Sequence, residues 1–271
     1  PGPVLIDIPK DIQFAKTNYS KFKKEKKLNG KIHNKFSQNE IDQLIDLISK
    51  AKKPVVYTGG GVINSGPEAS ETLKEFVRLI GFPITSTLQG LGAFPGEDNQ
   101  FIGMLGMHGT YEANNAMHDC DLLINIGARF DDRITGKIDE FSPKSKKVHI
   151  DIDPSSINKN VKVDLAIVGD VKTVLSSTLK SLKQKKSKFL KSNKQKTSKW
   201  WEKIQKWRSV RSLDYIGSEE TIKPQYAIER LYELTKDKDS YITTEVGQHQ
   251  MWAAQHYKFN KPNRWMTSGG L

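Results

Sequence analysis

The sequence predicts an α/β protein built on a doubly wound parallel sheet, with partial α/β domains on either side of it. Three observations predict this. Short apolar runs alternate with amphipathic helical segments from about residue 36 to 180, the signature of helices covering a mostly parallel sheet. The runs are mostly apolar, as strands buried on both faces are. Glycines and charged residues cluster just after the runs, at the carboxyl ends of strands, where such sheets bind their ligands.

The elements follow in chain order. Val4-Leu5-Ile6-Asp7-Ile8-Pro9 reads as a strand with nothing before it to pair with. Ser37-Gln38-Asn39-Glu40 matches a capping box, and Ile41, Leu44, Ile45 and Ile48 follow at helical spacing, which predicts a helix over 38–51. Pro54 to Tyr57 is a β-branched strand running into Gly59-Gly60-Gly61. A helix over about 67–80 carries Leu73, Phe76, Val77 and Ile80 on one face. Pro83 to Thr87, Leu122 to Ile126, Val148 to Asp151 and Leu165 to Val168 read as further strands, and Tyr111 to His118 as a short helix. Residues 180–216 change character: lysines recur every two or three positions, and then Trp200, Ile204 and Trp207 fall on one helical stripe. That pattern reads as a basic linker ending in a helix that docks on something. A helix carrying Tyr226, Ala227, Ile228, Leu231 and Leu234 and a strand from Tyr241 to Thr244 open the last segment.

Composition narrows the function classes. No stretch approaches the roughly 18 apolar residues of a membrane-spanning helix, and the chain begins Pro1-Gly2-Pro3 without a basic, then apolar, leader, so a secreted protein is not expected. One cysteine, Cys120, excludes an internal disulfide framework and a cysteine-based zinc site. A net charge of +12 invites a nucleic-acid reading. The excess, however, lies in two Lys-rich stretches, net +7 over 16–35 and net +10 over 180–206, and only 7 of the 43 basic residues are Arg, the type preferred for bidentate recognition. Solvated linkers are the expectation, with no nucleic-acid or membrane partner. Three pieces result: an end of one domain (1–15) with a basic linker (16–35), a middle domain (36–180), and, after the linker and helix (181–219), the beginning of a third (220–271).

Candidate site residues lie after the strands. Gly59-Gly60-Gly61 permits backbone to approach a diphosphate, though it lacks the Gly-x-Gly-x-x-Gly spacing and a plain turn is the competing reading. Gly106-Met107-His108-Gly109 opens a helix with a soft Met and an imidazole suited to covering a flat ring. Gly127-Ala128-Arg129-Phe130-Asp131-Asp132-Arg133 has two cations beside two acids, either paired or facing a phosphate or carboxylate. Asp151 and Asp170 end strands, fit to accept from ribose hydroxyls or an amino group or to cap helices. His33, His118, His149 and His256 look scattered, and no nucleophile arrangement stands out. From the residues alone, the middle domain binds an adenine-type nucleotide or a flavin.

The strings Pro1-Gly2-Pro3-Val4-Leu5-Ile6-Asp7-Ile8-Pro9, Gly106-Met107-His108-Gly109, Arg129-Phe130-Asp131-Asp132-Arg133, Asp151-Ile152-Asp153-Pro154 and Gly247-Gln248-His249-Gln250-Met251-Trp252 stand in an order and spacing that resembles the acetolactate synthase (acetohydroxyacid synthase) catalytic subunit family. The resemblance implies a pyrimidine-binding domain ending near Lys10, an FAD-binding middle domain and a diphosphate-binding domain opening near 220. It implies FAD contacts at Gly59, Gly60, Thr87, Leu88, Met107, His108, Gly127, Arg129, Arg133, Asp151, Ile152 and Asp170, with Arg133 also recognising the second 2-oxo acid, and thiamine diphosphate contacts at Val246, Gly247, Gln248 and His249. It implies that the activating glutamate lies before Pro1 and the Mg²⁺-binding segment after Leu271, so this segment holds no catalytic or metal residue and turns nothing over alone. The activity implied is thiamine-diphosphate-dependent decarboxylation of pyruvate and condensation with pyruvate or 2-oxobutanoate, at the first common step of branched-chain amino acid biosynthesis. The subunits implied are a homodimer or homotetramer with a small regulatory subunit, in a plastid or a bacterial cytoplasm. A non-catalytic flavin-binding module of electron-transfer type is the alternative.

Overall fold

Ser37 closes the capping box that starts the first long helix: its hydroxyl accepts from Glu40 N–H while Glu40 Oε2 accepts from Ser37 N–H at 2.6 Å. That reciprocal pair satisfies two donors that a helix start leaves bare. The computed structural model describes residues 6–18, 35–184 and 186–269, with only the backbone from 186 to 192. The expectations that fall on Val4 and Leu5, on most of the 16–35 linker, on His33 and on the last two residues lie outside the described residues.

Residues 1–31 form a unit of their own. Within it, Ile6 to Pro9 carries no strand, contrary to the sequence reading, and the described regular element is a one-turn helix α1, Lys10–Phe14. The physical reason is the missing neighbour: a lone strand leaves its backbone donors and acceptors unpaired, and here Ile6, Ile8, Ile12 and Phe14 are all exposed.

The second unit, 32–271, contains the sheet. Its elements are α2 (Gln38–Lys50), β1 (Pro54–Thr58), α3 (Gly60–Asn64), α4 (Pro67–Ile80), β2 (Ile84–Ser86), β3 (Phe101–Met104), α5 (Tyr111–Asp119), β4 (Leu122–Ile126), α6 (Asp132–Thr135), β5 (Lys146–Asp151), β6 (Leu165–Val168), α7 (Val171–Gln184), α8 (Lys186–Arg208), α9 (Pro224–Thr235), β7 (Ile242–Thr244), α10 (Gln248–His256) and β8 (Trp265–Thr267). The six strands β1 to β6 are all parallel, in the order β3-β2-β1-β4-β5-β6. The order reverses between β1 and β4, so the first crevice a ligand meets at the carboxyl edge opens beyond those two strands.

Two apolar layers hold the sheet. On one face, Ile41, Leu44 and Ile48 of α2, Leu73, Phe76 and Val77 of α4, and Val174 and Leu175 of α7 pack on Val56, Ile124, Val148 and Ile150. Each such buried side chain contributes about 1.5–3 kcal/mol relative to exposure. On the other face, Ala113, Ala116 and Met117 of α5 and Trp200 and Ile204 of α8 pack on Val55, Tyr57 and Leu123.

Helix α8 corrects the linker reading of residues 181 to 199. The stretch has no Gly or Pro and is dense in Lys, a good helix former, so α7 continues to Gln184 and α8 spans 186–208. α8 lies along the amino edge of the sheet. Trp200 Nε1 donates to Pro54 O at 3.0 Å, Trp201 Nε1 to Gly81 O at 3.0 Å, Lys196 Nζ to Ser49 O at 2.9 Å and Arg208 Nη2 to Phe101 O at 2.8 Å, all at points where the chain enters a strand or leaves a helix beneath one. The edge strand β3 is not among the strands expected. Its four residues include Gly103 at φ +91°, where any Cβ would sit 2.3 Å from Thr110 Cγ2, and two of the four are only half-buried. A run that short and glycine-broken carries almost no period.

The last segment packs on the sheet's β3 edge. β7 and β8 form a two-stranded parallel sheet, and Tyr232, Ala253, Ala254, Tyr257, Phe259 and Trp265 cluster with Leu91 and Met104. Glu97 accepts from the Tyr232 hydroxyl and from Asn260 Nδ2, joining this cluster to the loop before β3.

Candidate functional site

Each of the six parallel strands ends in residues singled out from the sequence, so one edge collects all the middle-domain candidates. Gly59 and Gly60 follow β1, Thr87 and Leu88 follow β2, Met107 and His108 follow β3, Gly127, Arg129 and Arg133 follow β4, Asp151 and Ile152 close β5, and Asp170 follows β6.

At the switch point two turns interlock. Gly59 N–H donates to Ile126 O at 3.1 Å, Gly61 N–H to Gly127 O at 2.9 Å, and Gly127 N–H to Ile150 O at 2.9 Å. A Cβ on Gly61 would lie 2.7 Å from Gly127 Cα, and one on Gly59 2.5 Å from Gly127 O. These two glycines are therefore required for backbone to meet backbone, while Gly60, whose Cβ would meet nothing nearer than 3.4 Å, faces Gln89. Thr58 Oγ1, fully buried at this point, has no hydrogen-bond partner among the described residues.

The turn after β4 is pinned from below. Asn125, buried in the strand, donates from Nδ2 to Ala128 O at 2.7 Å and accepts Ala128 N–H at 3.1 Å; Asn160 Nδ2 donates to Phe130 O at 2.9 Å. Phe130 sits at φ +52° with its ring buried among Tyr57, Phe141 and His149. Burial first, then the Asp131 charge, pushes the Tyr57 hydroxyl above its usual range. The Arg129 side chain is 76% exposed and pairs with Asp131 at 3.1 Å. Asp131 caps α6, which carries an exposed Arg133 without an ion pair among the described residues. One of the two cations is thus committed to a local pair and the other is open.

The acids behave differently from each other. Asp151 is buried, accepts from Asp153 N–H at 2.9 Å, and has His149 Nε2 at 3.5 Å from its Oδ2. Asp170 accepts from Ser65 Oγ at 2.5 Å and from Thr173 N–H at 3.1 Å, the pattern of a helix cap on α7. Ile152, next to Asp151, and Met107, after β3, are 46% and 67% exposed.

Val246, Gly247, Gln248 and His249 bridge the end of β7 and the start of α10, and all but the half-buried Gly247 are exposed. The segment is not remote from the sheet. Trp265 Nε1 donates to Leu88 O at 3.0 Å, Gln89 Nε2 to Thr267 O at 3.3 Å and Gln255 Nε2 to His108 O at 2.9 Å. The structure therefore brings the ends of β2 and β3 against β8 and α10. Among the described residues no group of three or more His, Cys, Asp or Glu side chains is placed to hold a metal ion.

Several residues at this edge were not read from the sequence: Asn125, His149, Asn160, Thr58 and Gln89. A signal existed for two of them, because Asn in Leu-Leu-Ile-Asn-Ile and His in Val-His-Ile are polar groups inside runs that the sheet buries on both faces.

Comparison with known proteins agrees with this geometry. The family model for the thiamine pyrophosphate enzyme central domain matches residues 41–178, and that for the C-terminal TPP binding domain of the same enzymes matches 245–271. Similar proteins include an acetolactate synthase large subunit of Buchnera aphidicola from Schizaphis graminum, 48% identical, the isozyme 3 large subunit of Escherichia coli, 43%, and a chloroplastic acetolactate synthase of Arabidopsis thaliana, 43%. Each alignment covers 100% of this chain, which spans 46%, 46% and 39% of those relatives. A separate electron-transfer flavin module is not favoured, because it gives no account of the 245–271 match. With parallel-sheet topology and two matching domain models in sequence, the chain belongs to the thiamine pyrophosphate enzymes and has acetolactate synthase large subunits as its homologues.

Proposed function

We propose that this chain is the middle and early C-terminal part of an acetolactate synthase catalytic subunit, which decarboxylates pyruvate and condenses the product with a second pyruvate or 2-oxobutanoate, at the first common step of valine, leucine and isoleucine synthesis. The observation that supports it most is the junction of Leu88 and Gln89 with Trp265 and Thr267, which sets the flavin-type edge of the middle domain beside the thiamine segment.

Thiamine diphosphate, when bound, supplies the stabilised carbanion that lets a 2-oxo acid lose its carboxylate. Val246, Gly247, Gln248 and His249 would hold it at the carboxyl end of β7. FAD fits the middle-domain edge on three observations. The buried Thr58 hydroxyl lacks a partner among the described residues, exposed apolar surface at Met107 and Ile152 suits a flat ring, and exposed guanidinium groups at Arg129 and Arg133 suit a pyrophosphate. Gly60, Thr87, Leu88, His108, Gly127 and Asp151 would complete the contacts. For Asp170 and Gly59 the structural roles described above, a helix cap and a backbone contact, weigh as much as ligand contact. Arg133 orients the second 2-oxo acid through its carboxylate. Mg²⁺ and the activating glutamate belong to other segments of the subunit, which assembles as a homodimer or homotetramer with a small regulatory subunit, in a bacterial cytoplasm or a plastid.

The test uses the full subunit with pyruvate, thiamine diphosphate, Mg²⁺ and FAD, read by the colorimetric acetoin assay. Turnover is expected. Arg129→Ala should weaken FAD by about 1.5–3 kcal/mol, the range for a hydrogen bond to a charged group, while Arg133→Lys should raise KM for the second 2-oxo acid, since an ammonium cannot reproduce the guanidinium fork. Absence of acetoin from the loaded subunit overturns the reading.

A further inference from the structure

His149 is fully buried in the middle of β5, between Val148 and Ile150, which pack into the core on the opposite face. A strand at that position ordinarily carries a hydrophobe. An imidazole there loses hydration that only good hydrogen bonds restore, and His149 makes good just half of its capacity: Nε2 lies 2.9 Å from Ala128 O, while Nδ1 has no partner among the described residues. With a carbonyl as acceptor, Nε2 must carry the hydrogen. Nor does Ala128 O need it, since Asn125 Nδ2 already donates to the same oxygen at 2.7 Å. By the ledger of the fold alone, then, this side chain is a net cost.

What it does provide is a link. Nε2 donates to Ala128 O in the turn after β4, and the Asp151 carboxylate at the end of the same strand stands nearby, its Oδ2 3.5 Å away and outside that hydrogen bond. Its ring stands edge-to-face against Phe130, centroids 5.1 Å apart, and Phe130 occupies a left-handed backbone position that a bulky residue adopts only when its surroundings impose it. Arg129 precedes that strained residue in the chain and Arg133 follows it in the first turn of α6. We propose that His149 is a positioning residue: it fixes the conformation of the Gly127 to Arg133 turn relative to Asp151 and thereby sets how tightly the sheet edge holds a flavin dinucleotide. The second half of this statement rests on the flavin reading above; the first does not.

The experiment compares His149→Phe, which keeps a ring against Phe130 but loses the donor, with His149→Gln, whose amide nitrogen restores a donor at the Nε2 position. Hydrogen exchange is followed in peptides covering 127–133, with 122–126 as internal reference, and FAD affinity by quenching of flavin fluorescence. In His149→Phe, exchange across 127–133 should rise about tenfold or more, as loss of a buried hydrogen bond permits, with 122–126 unchanged, and FAD should bind about tenfold or more weakly. His149→Gln should recover most of both. Unchanged exchange in the Phe variant, or a Gln variant no better than Phe, overturns the proposal. If the parent chain binds no FAD while the exchange pattern holds, the flavin reading fails and the role of His149 on the turn stands. Should the Phe variant not fold, the Gln variant decides: exchange within about twofold of the parent supports the donor role, and a tenfold rise removes it.

Discussion

Replacing Gly61 by Ala probes the backbone contact on which the carboxyl edge is built. The new Cβ would sit 2.7 Å from Gly127 Cα and 2.9 Å from Gly127 O, whereas carbon atoms rest at about 3.5–4.0 Å. Neither side can yield freely, because Gly61 N–H is bonded to Gly127 O at 2.9 Å and Gly127 N–H to Ile150 O at 2.9 Å. Overpacking of this kind costs roughly 1–3 kcal/mol, stretching one buried hydrogen bond adds about 1 kcal/mol, and Ala returns up to about 1 kcal/mol over Gly within a helix. The net expectation is a loss of about 1–3 kcal/mol, or a thermal midpoint lower by roughly 2–12 °C at the scaling for domains of this size. Gly60→Ala is the matched control, one residue away in the same helix, with its nearest new contact at 3.4 Å. It should melt within about 2 °C of the parent or slightly higher, because the helix-propensity gain is unopposed. Circular dichroism melts of the two variants decide the matter. A Gly61→Ala protein that melts at or above Gly60→Ala refutes the claim that Gly61 and Gly127 are set by contact.

Three further outcomes are expected. Trp200→Phe removes the donor to Pro54 O and leaves that buried carbonyl unpaired, at a cost of about 1–3 kcal/mol, visible as a lower urea midpoint; an unchanged midpoint would show that α8 contributes nothing at the amino edge. Cys120 is fully buried and burial pushes its thiol up to about 11, so Ellman's reagent at pH 8 should label the native protein far more slowly than the urea-unfolded chain, and rapid native labelling contradicts the packing of α5. Asp239 is held down to about 2 by Arg264, at 2.9 and 2.8 Å, and by Lys261. A carboxylate depressed in the folded state stabilises above its unfolded value near about 3.9, so its contribution is complete at pH 5 and fades as pH falls through about 2. Asp239→Asn should flatten hydrogen-exchange protection of β7 and β8 between pH 4 and pH 2, and a profile identical to the parent would refute the assignment.

The sequence was legible where one kind of force acts alone. Residues 54–57, 122–126 and 165–168 are wholly or mostly apolar, residues 148–151 alternate Val148 and Ile150 with His149 and Asp151, and each run lies in a strand of the sheet. Ser37 and Glu40 announce α2 by local hydrogen bonding. Reading failed where long-range contact decides. The density of lysines in α8 made it look like a linker, although Trp200 and Ile204 bind it to the sheet. β3 exists because β2 supplies a partner, and residues 6–9 are no strand because nothing does. At the site, glycines and cations were visible as types, whereas Asn125 and His149, which hold the turn that presents them, gain their meaning only from distances to Ala128.

The placement of α8 also explains why so basic a chain need not be a promiscuous binder of its own ligands. Lys194, Lys196, Lys199, Lys203 and Lys206 are exposed along the amino edge of the sheet. A five-residue strand at about 3.3 Å per residue puts roughly 16 Å between that edge and the ligand edge, while physiological salt screens exposed charge over about 8 Å. An anion at the edge that carries Arg129 and Arg133 would thus feel little of these lysines. Drift in a genome's base composition can add or remove lysines there, shifting isoelectric point and solubility, without retuning the chemistry at the other end of the strands.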